Sequence, residues 1–145
     1  IVGKVSGLVP VEVDDLREGD FGAWQGLNRR EIQATWPDEL ERWHHEVEVA
    51  PPGGESLAQV AARVREVAGQ ALAGHAGETV VLVAHSIVTK TGIGTLTGMD
   101  PATWYELRIP PGSVSILRLW PEAHELVVTG LPPEVVGSDA TPTLF

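Results

Sequence analysis

A short apolar run that ends at a histidine constrains this chain more than any other feature. Val80 to Val83 are four consecutive aliphatic residues, Ala84 follows them, and His85 comes next. A run of this length between polar segments is typical of a strand that is buried on both faces of a sheet. We therefore predict a buried strand over 79–84 that delivers His85 at its carboxyl end.

Helical patterns flank this strand. Residues 57–74 place their apolar side chains on one stripe of a helix, and Gly74 ends the pattern. The stripe consists of Leu57, Val60, Val64, Val67, Ala68, Ala71 and Leu72. A second helix, weakened by glycines, is predicted over 86–99. Strands that alternate with helices of this length favour βαβ units around a mostly parallel sheet, so the expected class is α/β.

The other predicted elements are shorter. Asn28 and Glu31 have the spacing of a helix capping box, and Trp36-Pro37 interrupts the helix that follows. The remaining predictions are a helix over 1–7, a short half-buried strand over 10–15, a helix over 38–47, and strands over 113–120 and 125–130 paired as a hairpin. We expect one domain over 1–131 and an irregular tail over 132–145, which is rich in Pro, Gly, Ser and Thr.

Composition excludes several functions. The net charge of -10 argues against a nucleic acid or an anionic membrane as partner, because phosphate groups are bound by Lys and Arg. The absence of cysteine excludes disulfides, thiolate catalysis and cysteine-based zinc sites. No apolar run approaches the roughly 18 residues that a membrane helix needs, and no signal-peptide pattern is present, so we expect a cytoplasmic protein.

His85 is the first candidate functional residue. In open α/β sheets, ligands bind beyond the carboxyl ends of the strands, which is where the predicted strand places His85. A helix that starts at Ser86 would direct free backbone N–H groups toward the same crevice, and such helix ends bind phosphate. The alternative is a histidine buried in the core at the end of a strand.

Glu18 is the second candidate. It lies with Asp20 in the glycine-rich stretch "LREGDFGAWQG", next to Arg17 and close to Trp24. A carboxyl group held near a buried aromatic ring can keep its proton at neutral pH and act as a general acid. The alternative is an acidic turn exposed to solvent.

Two further stretches are weaker candidates. "PPGGES", residues 51–56, is either a lid loop or, as we favour, the entry to a helix in which Glu55 or Ser56 serves the first turn. His44 and His45 are adjacent, and neighbouring side chains on a helix point about 100° apart, so they are poor joint metal ligands. We expect no metal site and no cofactor.

Four motifs in this order resemble the histidine phosphatase superfamily, which has a phosphoglycerate mutase-like fold. They are "LREGDFGAWQGL", "PPGGESLAQVAARV", "VVLVAHS" and "PGSVSILRL", and they span roughly Leu8 to Leu119. The short distance between the first two motifs is similar to the phosphatase branch. The resemblance implies a three-layer α/β/α sandwich with a mostly parallel sheet.

The resemblance also implies residue roles and a small phosphorylated substrate. Glu18 matches the proton donor that protonates the leaving alcohol. His85 matches the histidine that hydrogen-bonds the transferring phosphoryl group and stabilises its charge. Ser86 replaces the usual glycine, and its hydroxyl or backbone N–H is a candidate phosphate ligand. Lys90 stands where many members have arginine.

One departure from the family pattern affects the expected chemistry. The family's nucleophile is a histidine in an Arg-His-Gly motif on the first strand, and in this chain no Arg directly precedes a His. The sequence also starts at Ile1, and its only methionine is Met99, so we expect a fragment or a processed product that lacks the first strand. Its partner would then be its own missing N-terminal segment or a second copy in a homo-oligomer.

Three functions follow as expectations. The first is a phosphomonoester hydrolase that forms a phosphohistidine on a histidine outside this sequence, with Glu18 as proton donor and His85 as phosphoryl stabiliser. The second is a catalytically inactive relative that binds a phosphorylated ligand or a protein partner. The third is a structural domain in which His85 is a core residue.

Overall fold

The structure, a computed structural model, describes residues 2–120, 122–132 and 134. Its α-helices are α1 (Val2–Ser6), α2 (Arg29–Thr35), α3 (Pro37–His45), α4 (Leu57–Gly74) and α5 (Ser86–Thr97). Its strands are β1 (Val114–Trp120) and β2 (Ala123–Leu131), and short 3-10 helices cover Asp14–Leu16, Gly22–Trp24 and Pro101–Glu106. The predicted N-terminal helix is confirmed as α1, and Gly7 follows it with a φ of 71°.

Helix α4 forms the centre of the core. The Ser56 side chain accepts a hydrogen bond from the Gln59 N–H, and the Gln59 side chain accepts one from the Ser56 N–H, so both free donors are satisfied. This confirms that "PPGGES" is a helix entry. The predicted apolar stripe is buried from Leu57 to Ala68, whereas Leu72 is 37% exposed. Six residues of α4 are buried: Leu57, Val60, Ala61, Val64, Val67 and Ala68.

Helix α5 packs along α4, and its glycines have a packing role. A β-carbon at Gly92 would lie 3.1 Å from a methyl group of Val64, and one at Gly94 would collide with the Trp104 indole. Thr91 is fully buried, and its hydroxyl donates to the Ile87 carbonyl. The predicted helix after His85 is therefore confirmed, and its glycines let neighbouring elements approach closely.

Helices α2 and α3 cover one side of this core. Asn28 and Glu31 form the predicted capping box, and the helices separate at Trp36, so both predictions are confirmed. Trp43 of α3 makes edge-on ring contacts with Trp24 at 5.8 Å and with Tyr105 at 5.0 Å between centroids. Together with Phe21, whose ring lies 6.1 Å from Trp43, these residues form the aromatic cluster (Phe21, Trp24, Trp43 and Tyr105).

The predicted strand over 79–84 is wrong for the described chain. These residues pair with no other described segment, and Val81 and Val83 are each 66% exposed. The predicted strand over 10–15 is also wrong, because Val11 is 83% exposed and Asp14–Leu16 is a 3-10 turn. A buried strand needs neighbours on both sides, and none of the described residues supplies them. The sheet in the described chain is two-stranded and antiparallel, so the mostly parallel sheet stays a prediction.

The C-terminal hairpin is confirmed. β1 pairs antiparallel with β2, in a register that sets Leu117 opposite Leu126, with irregularities on either side of Ile116. β2 begins at Ala123, so the connection is shorter than predicted, and the hairpin contacts α5. The predicted irregular tail, 132–145, lies outside the described residues except for 132 and 134.

Candidate functional site

The Glu18 carboxylate lies at the N-terminus of α5. Its Oε1 accepts hydrogen bonds from the Ile87 N–H at 3.2 Å and from the Gly19 N–H at 3.0 Å. Ile87 is the second residue of the helix that His85 caps. The fold therefore brings the glycine-rich loop and the segment after the apolar run together across 69 residues of sequence. A carboxylate at this position satisfies a free helix donor and faces the positive end of the helix dipole.

His85 presents a free imidazole at the start of α5. Its backbone is extended, with φ -115° and ψ 176°, and its carbonyl accepts from the N–H and the hydroxyl of Thr89 at 2.9 and 2.8 Å. Its side chain is exposed, and no hydrogen bond joins its ring to any residue in the described ranges. The alternative of a histidine buried in the core is therefore wrong for the described chain.

Ser86 is the first residue of α5 and is exposed. Its backbone N–H has no acceptor within the described part of the chain, as is usual for the first turn of a helix. The Ile87 N–H is already bound to Glu18. The Ser86 N–H and hydroxyl are thus available to an anion beside His85 and Glu18.

Two open clefts meet at Glu18. The first, of about 440 Å³, is bordered by Glu18, Ser86, Ile87, Lys90 and the aromatic cluster. The second, of about 480 Å³, is bordered by residues 17–21 and by Gln25. His85 borders neither cleft, and it directly precedes Ser86, which borders the first. The structure therefore places Glu18 and Ser86 in one cleft, and His85 is the residue before Ser86.

Backbone contact between two glycine-containing loops fixes the position of Glu18. The Glu55 N–H donates to the Asp20 carbonyl at 2.7 Å, and the Ala23 N–H donates to the Pro52 carbonyl at 2.9 Å. Gly22 has a φ of 49°, and a β-carbon there would collide with the Pro52 carbonyl. A glycine is needed at this position because a side chain would push the two loops apart.

Arg63 of α4 binds the backbone of the same loop. Its side chain is 10% exposed, and its guanidinium group donates to the backbone carbonyls of Asp15, Arg17 and Glu18, the last at 3.2 Å. The same group makes two hydrogen bonds to the Glu55 carboxylate, both at 3.1 Å. The planar guanidinium fork suits this many acceptors. Arg63 thus positions the Glu18 backbone without contacting the Glu18 carboxylate.

The Glu55 carboxylate links Arg63 to the loop. It also accepts from the Asp20 N–H at 3.0 Å and from the Arg17 guanidinium group at 3.4 Å, while the Asp20 carboxylate accepts from the Gly22 N–H at 2.8 Å. Of the two loop carboxylates, only Glu18 therefore faces α5. Sequence reasoning considered Glu55 only as part of a helix entry and missed Arg63 altogether. No local spacing signals their pairing with the loop, because Arg63 and Glu18 are 45 residues apart.

The pKa of Glu55 gives this contact a pH dependence. Burial raises the pKa of Glu55. Hydrogen bonds from Arg63 and the Asp20 N–H, together with the charges of Arg63 and Arg17, outweigh this effect, so the pKa lies below its usual 4.5. A depressed pKa in the folded state contributes stability that is present above the unfolded value. That contribution is lost as the pH falls from 4.5 through the folded pKa.

Replacing Glu55 by Gln should lower the free energy of unfolding at pH 7 by about 1–3 kcal/mol, because a charge-assisted contact to Arg63 is lost. The deficit should shrink as the pH falls below 4.5, where the wild-type carboxylate is itself protonated. Urea unfolding followed by tryptophan fluorescence at several pH values measures both effects. Glu12→Gln, at an exposed position without an ion pair in the described chain, is the matched control. Equal stability of Glu55→Gln and wild type at pH 7 would contradict the assignment.

The adjacent histidines of α3 lie in different environments. His44 packs its ring against Tyr105 at 4.6 Å between centroids, and burial lowers its pKa. His45 is exposed and lies 3.5 Å from Glu41. Within residues 2–120, 122–132 and 134, no group of three or more His, Cys, Asp or Glu side chains is arranged to hold a metal ion. None of the helices in those ranges has the length and apolar character required to cross a membrane.

A family model matches most of the chain. The model describes the histidine phosphatase superfamily (branch 1), and it matches residues 1–131. Among curated relatives, a bifunctional protein of Mycobacterium tuberculosis is 34% identical over 114 residues, which cover 79% of this chain and 31% of that protein. A 2,3-bisphosphoglycerate-dependent phosphoglycerate mutase of Methylorubrum populi is 33% identical, over 79% of this chain and 55% of the mutase. The chain thus spans about a third to about half of the length of these relatives.

A solved structure is similar over nearly the whole chain. A mycobacterial glucosyl-3-phosphoglycerate phosphatase is 31% identical and superimposes with a TM-score of 0.80, over 90% of this chain and 70% of that one. The same phosphatase in complex with inorganic phosphate also gives a TM-score of 0.80, over 90% of this chain and 69% of that one. The fold expected from the motifs is therefore confirmed as phosphoglycerate mutase-like.

Proposed function

Because this chain belongs to the histidine phosphatase superfamily, we propose that it supplies part of the active site of a phosphomonoester hydrolase. Glu18 is the proton donor, His85 stabilises the phosphoryl group, and Ser86 binds it. One observation carries the proposal: the Glu18 carboxylate is hydrogen-bonded to the first turn of the helix that His85 caps. This contact supports a shared site, because the N–H groups in the first turn of a helix bind phosphate.

The proposed reaction uses these groups together. The phosphoryl group binds at the start of α5, where the Ser86 N–H and the His85 ring donate to its oxygens and offset its charge. Glu18 must carry a proton at this stage in order to act as a general acid. As the ester P–O bond breaks, Glu18 gives its proton to the leaving alcohol oxygen while the phosphoryl group passes to the nucleophile. Water then releases phosphate from that nucleophile.

The nucleophile is proposed to be a histidine outside the 145 residues, since no Arg-His-Gly motif occurs within them. The strand that carries it would pair with residues 79–84 in a mostly parallel sheet and would cover Val81 and Val83, each of which is 66% exposed in the described chain. The intact mass of the protein purified from its source tests this. A mass well above 15.5 kDa is expected, and a mass near 15.5 kDa would contradict it.

The alternative is a relative that binds phosphorylated ligands without turnover. It is favoured by the absence of the Arg-His-Gly motif from these residues. Two of the proteins named above, the glucosyl-3-phosphoglycerate phosphatase and the phosphoglycerate mutase, are named for small phosphorylated molecules, and we propose a small phosphorylated ligand for this chain in either case. Turnover of a phosphomonoester by the native protein rejects the alternative.

We expect the native protein to hydrolyse p-nitrophenyl phosphate at full rate in excess EDTA, with an optimum at acidic to neutral pH. The reason is that hydrogen-bond donors, rather than a metal ion, offset the phosphoryl charge, and that Glu18 must be protonated to serve the leaving group. Initial rates with and without EDTA, beside a magnesium-dependent phosphatase as control, measure this. Loss of activity in EDTA and its recovery on addition of a divalent metal would contradict the proposal.

A further inference from the structure

Arg63 uses every hydrogen-bond donor of its guanidinium group. Nη1 donates to the carbonyls of Asp15 and Arg17, and Nη2 donates to the Glu18 carbonyl. Nη2 and Nε also donate to the two oxygens of the Glu55 carboxylate. These bonds occupy all five N–H groups, in a side chain that is only 10% exposed. The Arg63 side chain is therefore held in one orientation.

Arg63 acts on the loop at 15–20 and does not contact a ligand. It donates to the Glu18 carbonyl at 3.2 Å and makes no hydrogen bond to the Glu18 carboxylate. It is also not among the residues that border either cleft. An effect of Arg63 on chemistry in the clefts must therefore pass through the loop, and Glu18 is the loop residue whose side chain is bonded to α5.

The ion pair of Arg63 and Glu55 fixes the loop at two points. Arg63 binds the Glu18 carbonyl, and the Glu55 carboxylate accepts from the Asp20 N–H at 3.0 Å. Gly19, which lies between these points in the sequence, is buried. Because the backbone is held on both sides of Gly19, the position of the Glu18 carboxyl group depends on the Glu18 side-chain torsions alone.

The two oxygens of the Glu18 carboxylate have different surroundings. Oε1 accepts from the Gly19 N–H at 3.0 Å and from the Ile87 N–H at 3.2 Å. The one hydrogen bond to Oε2 within the described part of the chain comes from the Ile87 N–H at 3.5 Å, which is long for such a bond. An oxygen that already accepts two N–H bonds has no lone pair left for a proton. Oε2 is therefore the oxygen that can carry the proton.

We propose that Arg63 is a positioning residue for proton donation: it holds the Glu18 backbone so that Oε1 stays bound to the start of α5 and Oε2 delivers the proton. This inference rests on the proposed function, because that function makes Glu18 the proton donor. As the ester P–O bond breaks, its electron pair goes to the alcohol oxygen, which takes the proton from Oε2 and leaves Glu18 as a carboxylate. Arg63 gives up no proton and touches no substrate atom.

The test compares kcat of the native protein and of its Arg63→Met variant for alkyl phosphates and for p-nitrophenyl phosphate. Arg63→Met should lower kcat for alkyl phosphates by about 10–10²-fold, the usual cost of a displaced reacting group. Its kcat for p-nitrophenyl phosphate should change far less, because p-nitrophenolate leaves without a proton, and KM should stay near the native value for both. An equal loss for both classes of ester would show that Arg63 supports only the fold.

A double variant tests whether Arg63 acts through Glu18. Losses from two residues that act on the same step do not add. Once Glu18→Gln has removed the proton, a displaced side chain should cost little more. The double variant should therefore match Glu18→Gln alone for alkyl phosphates to within about twofold. Losses that multiply would show that Arg63 acts independently of Glu18 and would overturn the proposal.

Two further variants complete the test. Arg63→Lys keeps the positive charge but has three donors in place of the planar fork. It should show the same dependence on the leaving group with a smaller loss, and it carries the test if circular dichroism shows that Arg63→Met does not fold. Arg65→Met, at an exposed position of α4 that borders neither cleft, should leave the rates for both classes of ester unchanged.

A failure of this inference differs from a failure of the proposed function. If Glu18→Gln slows alkyl phosphates selectively and neither Arg63 variant does so, Arg63 is not a positioning residue and the proposed function stands. If Glu18→Gln slows all esters alike, Glu18 is not the proton donor, and the inference falls with the proposed function.

Discussion

Replacing His85 by Ala is expected to lower kcat/KM of the native protein for p-nitrophenyl phosphate by about 10²–10³-fold, the usual effect of removing one donor that stabilises transition-state charge. The reason is the position of the imidazole at the start of α5, exposed and without a hydrogen bond to any residue in the described ranges. Nothing else in those ranges uses this ring, so its removal should affect the phosphoryl group and leave the fold intact. Steady-state rates and urea unfolding of the same samples measure both.

His75→Ala is the matched control for this substitution. His75 is also exposed, but it follows α4, contacts Glu78 at 2.8 Å and borders neither cleft. Its loss should leave kcat/KM within a few-fold of wild type. A His85→Ala protein that keeps wild-type kcat/KM would show that His85 does not bind the phosphoryl group.

Replacing Glu18 by Gln is expected to lower kcat for alkyl phosphates by about 10²–10⁴-fold, the range of general acid catalysis. The effect on p-nitrophenyl phosphate should be much smaller, because p-nitrophenolate leaves readily without a proton. Glutamine keeps the size of the side chain and can still accept from the Ile87 N–H, so the start of α5 should be preserved. Rates for a series of esters with leaving groups of rising basicity measure the difference.

Asp20→Asn is the control for the acidic loop. The Asp20 carboxylate accepts from the Gly22 N–H of its own loop, and its removal should not change the dependence on leaving group. An equal loss for activated and unactivated esters in Glu18→Gln would indicate that Glu18 positions the site and does not donate a proton.

Local elements of this fold could be predicted from the sequence. The capping box at Asn28, the helix entry at Ser56, the break at Trp36-Pro37 and the apolar stripe of α4 all depend on residues close together in sequence. The hairpin of β1 and β2 is also a local pairing, and it was predicted except for the length of its turn. In each case, the interacting residues are neighbours along the chain.

Long-range contacts could not be predicted in this way. The contact of Glu18 with the Ile87 N–H joins residues 69 positions apart, and Arg63 reaches the Glu18 carbonyl across 45. Arg63 belongs to the outward side of an amphipathic helix in the sequence pattern, where most arginines are exposed to solvent. Its acceptors exist only after the loop at 15–20 has folded against α4.

The segment at 79–84 failed as a prediction for a related reason. Its apolar pattern indicates only that its side chains tend to be buried. A strand forms only where neighbouring strands supply partners for its backbone hydrogen bonds. In the described chain, Val81 and Val83 remain 66% exposed. The motif resemblance, by contrast, gave the fold family correctly, because it draws on several motifs in a fixed order rather than on one pattern.

The position of vanadate in a crystal structure of the native protein would show whether Glu18, His85 and Ser86 form one phosphoryl site, since vanadate imitates a transferring phosphoryl group. We expect a vanadate ion at the start of α5, within hydrogen-bond distance of the His85 ring and the Ser86 N–H, with the Glu18 carboxyl group beside it. Vanadate bound elsewhere, with neither His85 nor Glu18 within reach, would show that these residues do not form the phosphoryl site.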